Sequence, residues 1–290
     1  MHSHPRTGDI DPFFVFDYRP LDAAEHLTAD QRPTTYWDVV AGNRGPAPVP
    51  TWVVQDAGAL DTELGVLKTG KEADVFLLER AAGIPGHNTE ATCLLAAKRF
   101  RDTHHRTFHR STVYAEGRGV RRSRDQRALA KGTAYGRRVA AGRWAYAEWE
   151  ALRTTWAHGV PVPYPVSLDG TELLMEFIGD PDGLAAPRLA QVQADPPLMA
   201  HLWEQTRRVV LQLAELGWAH GDLSAYNLLV HQETLVVIDL PQVVDVVANP
   251  QGPALLHRDC STVARWFGQR GVEADAEELF AEATRGHPRG

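Results

Sequence analysis

The chain has 290 residues, of which 43% are hydrophobic and 23% charged, and its formal net charge is -7. These values are typical of a globular protein with its own core, and the net charge argues against a general binder of polyanions. Two distant cysteines, Cys93 and Cys260, exclude a disulfide framework and predict a reducing compartment. The sequence shows no signal peptide and no apolar run of the ~20 residues that span a bilayer, so we expect a cytoplasmic protein without membrane contact.

Residues 1–58 are rich in Pro, Asp and Gly. The prolines of 44–50 push the residues before them out of the helical region, which predicts an extended linker there. Residues 34–40 could form a short helix or a docking patch. We expect 1–58 as a whole to be a partly disordered tail that packs weakly on the rest of the chain.

A β-hairpin is predicted next, with strands at 64–67 and 74–78 and a tip that carries Thr69, Gly70 and Lys71. Backbone N–H groups at a glycine turn, together with lysine side chains, can bind phosphate. A plain charged turn is the alternative interpretation. The single glycine fits neither a Walker A loop nor the G-x-G-x-x-G loop of ordinary protein kinases.

Lys98 follows a third apolar strand at 93–97, in the position of the strand lysine that holds the α- and β-phosphates in kinases. A solvated edge lysine is the alternative. Residues 144–152 then have the apolar spacing of a helix, with Glu148 inside the apolar stripe. A buried carboxylate needs a partner, and Lys98 is the natural one. Glu148 could instead be partly exposed, and Glu150 is the choice in another helical register.

Positive charge is concentrated between these two elements. Residues 101–143 contain 12 Lys and Arg against 3 Asp and Glu, a local charge of +9 that leaves -16 on the rest of the chain. Such a stretch can contact RNA phosphates through counterion release, or it can be a solvated, disordered segment. Both interpretations stay open.

A second hairpin is predicted with strands at 166–168 and 173–178, and the polar run 179–183 after it is typical of a hinge between lobes. If the chain has two lobes as kinases do, backbone groups from Glu176 to Ile178 would meet the edge of an adenine ring.

An amphipathic helix predicted at 198–217 leads into the most informative motif. His220-Gly221-Asp222 is followed by Asn227 at the Asp-x-x-x-x-Asn spacing of kinase catalytic loops, and a later apolar run ends at Asp239. A loop, strand, turn and strand would gather these side chains. Asp222 could orient a hydroxyl nucleophile or accept its proton, and Asn227 and Asp239 offer the oxygen ligands that Mg²⁺ prefers. Any one of the three alone is more simply a turn or a strand-end cap.

Two further helices are predicted at 259–267 and 275–283. Taken in chain order, the motifs resemble the RIO family of atypical serine/threonine protein kinases over about residues 64–283. The resemblance rests on Thr69-Gly70-Lys71-Glu72-Ala73-Asp74-Val75, Lys98, Glu148, His220-Gly221-Asp222-Leu223-Ser224-x-Tyr226-Asn227, Ile238-Asp239-x-Pro241-Gln242, Arg258-Asp259-Cys260 and Glu278-Leu279-Phe280.

The resemblance implies an α+β, two-lobed protein-kinase-like fold without an activation segment. An antiparallel-sheet N-lobe would span 59–178 and include the flexible basic loop 101–143, and a mainly helical C-lobe would span 179–290. ATP would bind between the lobes with Mg²⁺ or Mn²⁺.

The resemblance also implies a role for each motif residue. Thr69, Gly70 and Lys71 would contact phosphates, and Glu148 would orient Lys98 toward the α- and β-phosphates. Asp222 would be the catalytic acid/base, Asn227 and Asp239 would hold the metal, and Asp239 could itself accept phosphate. Lys68 departs from the family, where serine is more usual, and this could alter contacts to the γ-phosphate.

Three activities are therefore expected from these residues, the first being preferred. One is ATP-dependent phosphorylation of Ser/Thr on an unknown protein substrate or on the chain itself. Another is an ATPase switch in ribosome or RNA-particle assembly that passes through an aspartyl-phosphate. The third is a small-molecule phosphotransferase of the aminoglycoside type, against which the Thr-Gly-Lys-Glu-Ala loop argues. A non-enzymatic scaffold would lack some catalytic position, and none is missing.

Overall fold

The structure, a computed structural model, describes residues 27–82, 91–101, 134–240 and 243–285, with the backbone alone for 134–138. The strands and helices in chain order are β1 (Gln31–Pro33), β2 (Leu60–Thr69), β3 (Ala73–Ala81), β4 (Thr92–Phe100), α1 (Ala134–Ala157), β5 (Pro165–Asp169), β6 (Glu172–Glu176), α2 (Pro196–Glu215), β7 (Trp218–Ala219), β8 (Leu228–His231), β9 (Thr234–Val237), β10 (Val244–Asp245), α3 (Gly252–Gly268) and α4 (Ala276–Thr284). A sheet-based N-lobe followed by a mainly helical C-lobe confirms the predicted α+β kinase-like fold. Among the described residues, no helix has the length and apolar character needed to cross a bilayer.

The N-lobe is built on one six-stranded antiparallel sheet with the strand order β1-β2-β3-β4-β6-β5. The predicted strands at 64–67, 74–78 and 93–97 lie within the longer β2, β3 and β4, and the second predicted hairpin is formed by β5 and β6. Side chains alternate between the two faces of each strand. We call the face that carries Val75, Ala96 and Lys98 the cleft face, and the opposite face of the sheet the outer face.

Helix α1 covers the cleft face. It is longer than the predicted 144–152 and places the small residues Ala141 and Ala145, together with the fully buried Trp149, in one core with Ala96 and Leu173 of the sheet. Small side chains allow close approach of a helix to a sheet, and close approach is what brings the middle of α1 within reach of Lys98.

Residues 27–58 pack firmly, so the expectation of a weakly packed tail is wrong for this part of the chain. Strand β1 pairs with β2, and Tyr36, Val53 and Val54 are buried on the outer face against Leu78 and Leu95. The physical reason is that the outer face of the sheet is itself apolar, so burying it under residues 27–58 is favourable. The composition of residues 1–58 does not reveal this apolar surface. Residues 34–40 form turns rather than a helix, and 1–26 lie outside the described residues.

The C-lobe follows the predicted order of helices and strands. Helix α2 starts at an N-cap, Asp195, whose side chain accepts a hydrogen bond from the Leu198 N–H, and the chain turns at Gly217 with a φ of 75°. Strands β8 and β9 form the hairpin predicted after the catalytic loop. Helix α3 begins at Gly252 rather than at Asp259, since Asp259 is a buried residue in the middle of the helix and not its cap.

Candidate active site

Lys98 and Glu148 form the ion pair predicted from the sequence. The Lys98 Nζ lies 2.8 Å from Oε1 and 2.6 Å from Oε2 of Glu148, whose residue is 1% exposed. The alternative residue, Glu150, instead contacts Arg153 on the same helix, with 3.0 Å between Oε1 and Nη1. Glu148, not Glu150, is therefore the partner of Lys98. Glu148 lies within the apolar stripe of α1, and this stripe faces the sheet.

Asp239 joins this pair from the C-lobe. Its Oδ1 lies 2.8 Å from the Lys98 Nζ, and its backbone has a φ of 68°, a conformation that few non-glycine residues adopt. Lys98 thus bridges one carboxylate of the N-lobe and one of the C-lobe. The three side chains thus place two carboxyl groups, of which Asp239 is fully ionised, around one ammonium.

Burial and the two ion pairs shift the pKa values of all three groups. The Lys98 ammonium lowers the pKa of Asp239 to about 2, so this carboxylate is ionised at neutral pH. Burial raises the pKa of Glu148 to about 7, and Lys98 only partly offsets this effect. Burial alone would lower the pKa of Lys98, but the two carboxylates outweigh it and raise that pKa.

The catalytic loop is held in place by a residue that the sequence analysis named only as part of the family resemblance, without assigning it a role. Asp259 of α3 is 2% exposed and accepts hydrogen bonds from the N–H groups of Gly221, at 2.7 Å, and Leu223, at 3.0 Å. These two residues flank Asp222, whose own side chain is exposed to the cleft. An acid inside the apolar stripe of α3 was the available signal, by the same reasoning that identified Glu148.

His220 links the catalytic loop to the strand that ends at Asp239. The imidazole is 1% exposed, and its Nε2 lies 3.3 Å from the carbonyl oxygen of Ile238. The Ile238 N–H in turn donates to the carbonyl of Asn227 at 2.9 Å. Asp222, Asn227 and Asp239 are thereby brought to one end of the β8–β9 hairpin, as the motif spacing predicted.

Asn227 is oriented by its side-chain amide nitrogen, which donates to the carbonyl of Asp222 at 2.9 Å. The amide oxygen is then the ligand atom that Asn227 can offer to a metal. Among the described residues, no three His, Cys, Asp or Glu side chains cluster as a metal site. One amide oxygen and one carboxylate match the sparse protein ligation of Mg²⁺ in kinases, where nucleotide phosphates complete the shell, so the residues present fit this ion.

The tip of the β2–β3 hairpin is a tight turn closed by a hydrogen bond from the Gly70 N–H to the Ala73 carbonyl at 3.0 Å. A Cβ at Gly70 would lie 2.7 Å from that carbonyl oxygen, so the turn requires glycine. Arg101 and, to a smaller degree, the Thr69 hydroxyl lower the pKa of Asp74 by hydrogen bonding to it. Thr69 is the register partner of Asp74, so its side chain lies on the outer face and its backbone is the part predicted to face a phosphate. Lys71 is exposed at the tip.

In the predicted adenine-binding segment, Glu176 to Ile178, the side chain of Glu176 points away from the cleft. The Glu176 side chain accepts the Tyr164 N–H at 3.0 Å on the outer face, and burial raises its pKa. The Ile178 carbonyl accepts the Ala186 N–H at 3.0 Å. Both residues stay predicted nucleotide contacts through main-chain groups. Pro241-Gln242 of the predicted motif, most of the basic loop 101–143 and residues 286–290 of the predicted C-lobe lie outside the described residues.

Comparison with known proteins agrees with this geometry. The model of the RIO domain matches residues 95–279. The chain is 35% identical over 232 residues to a RIO-type serine/threonine-protein kinase Rio1 of Haloferax volcanii, covering 80% of this chain and 72% of that protein. It is 32% identical to the human serine/threonine-protein kinase RIO3, covering 78% of this chain and 42% of that longer protein.

Solved structures similar to this one include the Rio2 kinase from Chaetomium thermophilum and its ADP/Mg²⁺-phosphoaspartate complex, each with a TM-score of 0.53 and 21% identity. The matches cover 78% of this chain for the complex, 76% for the other structure, and 63% of the solved chain in both. At this identity they support the fold alone. Use of ATP with a divalent metal ion is general to the family identified by the RIO domain match and the archaeal relative. The protein belongs to the RIO family of atypical serine/threonine protein kinases.

Proposed function

We propose that the protein transfers the γ-phosphoryl group of ATP to a serine or threonine hydroxyl, on a protein substrate or on its own chain, with Mg²⁺ as the preferred metal and Mn²⁺ as a substitute. The single observation that carries the proposal is the Lys98 ammonium, which lies within 2.8 Å of both Glu148 and Asp239 beside the Asp222 loop. Lys98 is there positioned to hold phosphate oxygens, which is the task of this lysine in kinases.

Each residue then has a distinct task. Asn227 and Asp239 would hold the metal ion, which supplies charge neutralisation to the phosphates when bound. Asp222 is exposed, so it can meet a substrate hydroxyl, orient it and accept its proton. As the new P–O bond to the hydroxyl oxygen forms, the bond from the γ-phosphorus to the bridging oxygen breaks, and ADP leaves.

A second candidate is ATP hydrolysis through an aspartyl-phosphate at Asp239, used as a switch in ribosome or RNA-particle assembly. The observation that favours it is the lowered pKa of Asp239, about 2, which keeps the carboxylate an anionic nucleophile. The side chain is also 39% exposed, so phosphorus can reach it. In this reaction the carboxylate displaces ADP, and water then hydrolyses the acyl phosphate to release inorganic phosphate.

One labelling experiment separates these activities. The full chain is incubated with γ-labelled ATP, a generic protein substrate and a panel of aminoglycosides and sugars. Acid-stable, hydroxylamine-resistant label on protein supports the first proposal, and hydroxylamine-labile label that disappears in Asp239→Asn supports the second. Label on an antibiotic or sugar would favour the third reaction expected from the sequence. Asp222→Ala is expected to abolish transfer to hydroxyls while ATP still binds, and unchanged transfer would contradict the assignment.

We also propose that the basic loop 101–143 contacts RNA or a ribonucleoprotein and that the protein acts in the cytoplasm. The local charge of +9 in residues 101–143 supports the proposed contact with RNA. Binding to a generic RNA is expected to weaken steeply as salt rises, because phosphate contacts release counterions. An affinity independent of salt concentration would contradict it.

A further inference from the structure

Lys68 lies in one row with Lys98 across three strands of the sheet. Lys68 of β2 is the register partner of Val75 in β3, and Val75 is the register partner of Lys98 in β4. Direct partners in antiparallel strands project to the same face, so both lysines leave the cleft face, with backbones about 10 Å apart at the usual strand spacing. The neighbouring Thr69 is the register partner of Asp74 and projects to the outer face, whereas Lys68 projects to the cleft face.

Lysine is rare in this chain, which makes its presence at position 68 unusual. Of the 30 Lys and Arg residues in the chain, four are lysines, at 68, 71, 98 and 131. Three of the four lie on the phosphate-loop hairpin or the strand beside it. Lysine offers a compact charge on a flexible stem that can follow a phosphate, whereas arginine is the residue this chain uses elsewhere for fixed ion pairs.

A second cation, Arg188, lies in the C-lobe next to the catalytic loop. The Arg188 Nη1 donates to the carbonyl of Tyr226 at 2.8 Å, which places its guanidinium beside Asn227. Partial desolvation and then the charge of Arg188 lower the pKa of Lys68, whereas Asp239 raises it. One cation on the cleft face of the sheet and one beside Asn227 in the C-lobe can together bind an anion that enters the cleft.

We propose that Lys68, with Arg188 opposite it, binds the terminal phosphate of ATP and makes this site discriminate ATP from ADP. The inference rests on the proposed nucleotide site and deepens it. Lys98 serves the inner phosphates that both nucleotides share. Lys68 lies two strands away from Lys98, beside the hairpin tip, and Arg188 lies beside Asn227, so we assign their charges to the one phosphate group that ADP lacks.

Affinities of the full chain for Mg²⁺-ATP and Mg²⁺-ADP, measured by calorimetry, test the inference. Lys68→Ala and Lys68→Ser are expected to weaken ATP binding about tenfold, as for loss of one charge-assisted contact, and ADP binding less than about twofold. Lys68→Arg keeps the charge and is expected to restore most of the preference. Arg208→Gln is the matched control, since it removes one positive charge from an exposed position on α2 and is expected to leave both affinities unchanged.

The outcomes separate this inference from the proposed function. Equal losses for ATP and ADP in Lys68→Ala, or no loss for either, would overturn the role of Lys68 while leaving the nucleotide site intact. A similar loss of ATP binding in Arg208→Gln would also overturn it, because the effect would then be one of net charge. A native chain that binds neither nucleotide would overturn the proposed function and the inference with it. Thermal unfolding of each variant shows that it is folded, and Lys68 is exposed enough for its replacement to be tolerated.

Discussion

Replacing Asp259 with asparagine tests whether the catalytic loop is held by this one buried carboxylate. Asp259 accepts two backbone N–H groups, at 2.7 and 3.0 Å, and an asparagine of the same volume keeps one acceptor oxygen but turns the other into a donor. One buried N–H then loses its partner, which costs roughly 1–3 kcal/mol of folding free energy. Because Gly221 and Leu223 flank Asp222, the same change misplaces the catalytic carboxylate.

We therefore expect Asp259→Asn to lower the free energy of unfolding, measured in urea, and to lower kcat at least tenfold while KM for ATP stays near the native value. The predicted nucleotide contacts lie elsewhere, on Lys98, the β2–β3 hairpin, the segment from Glu176 to Ile178 and Arg188. Asp275→Ala is the matched control: Asp275 also accepts two backbone N–H groups, but at the exposed start of α4, so its loss costs about 1 kcal/mol of stability and leaves kcat unchanged. Full activity of folded Asp259→Asn would refute the reasoning, as would an equal loss of kcat in the control.

Three further changes have expected outcomes that follow from the structure. Lys98→Met leaves Glu148 buried without its cation and is expected to cost about 3–5 kcal/mol of folding free energy, measured by urea unfolding. The double variant with Glu148→Gln is expected to recover most of this stability without recovering activity. A stable single variant would contradict the pairing. Asp239 has a folded-state pKa of about 2, below its usual value, so its ionised form stabilises the fold above pH ~4 and that contribution is lost as the pH falls toward 2. The stability difference between the native chain and Asp239→Asn, followed by circular dichroism, is expected to shrink over this range. A difference that grows on acidification would refute the sign of this effect. Tyr36→Ala removes a 2% exposed ring from the outer face and is expected to lower stability by about 3 kcal/mol, which differential scanning calorimetry can measure; an unchanged melting temperature would mean that residues 27–58 do not support the sheet.

The parts of the site that could be predicted are those in which chemistry and periodicity agree. The spacing of Asp222, Asn227 and Asp239 around two apolar runs predicted a hairpin with three polar groups at one end, and the structure has that hairpin. Glu148 could be assigned because a carboxylate within an apolar helical stripe needs a cation, and Lys98 was the nearest one in the expected sheet. In each case a local pattern carried a long-range consequence.

The parts that could not be predicted depend on surfaces that exist only after folding. Residues 27–58 are rich in proline and polar groups, so their composition indicates a linker, yet a few apolar side chains such as Tyr36 and Val53 suffice to cover the outer face. Asp259 gave the same kind of signal as Glu148, but its partners are backbone N–H groups, which no sequence pattern reveals. Lys68 was visible as a departure from the family, and only the register of β2 and β3 assigns its side chain to the cleft.

The cover on the outer face also bears on how this protein can be handled in the laboratory. Tyr164 donates its hydroxyl to the carbonyl of Pro46 at 3.0 Å, and its backbone exchanges hydrogen bonds with Glu176 at the entrance to the interlobe connection. A recombinant fragment that begins at residue 59, as domain boundaries drawn from motifs would suggest, exposes Leu78 and Leu95 to water. It also removes the hydrogen bond from Tyr164 to Pro46 beside the interlobe connection. Such a minimal fragment is expected to aggregate during purification. An expressed chain should therefore begin before Gln31.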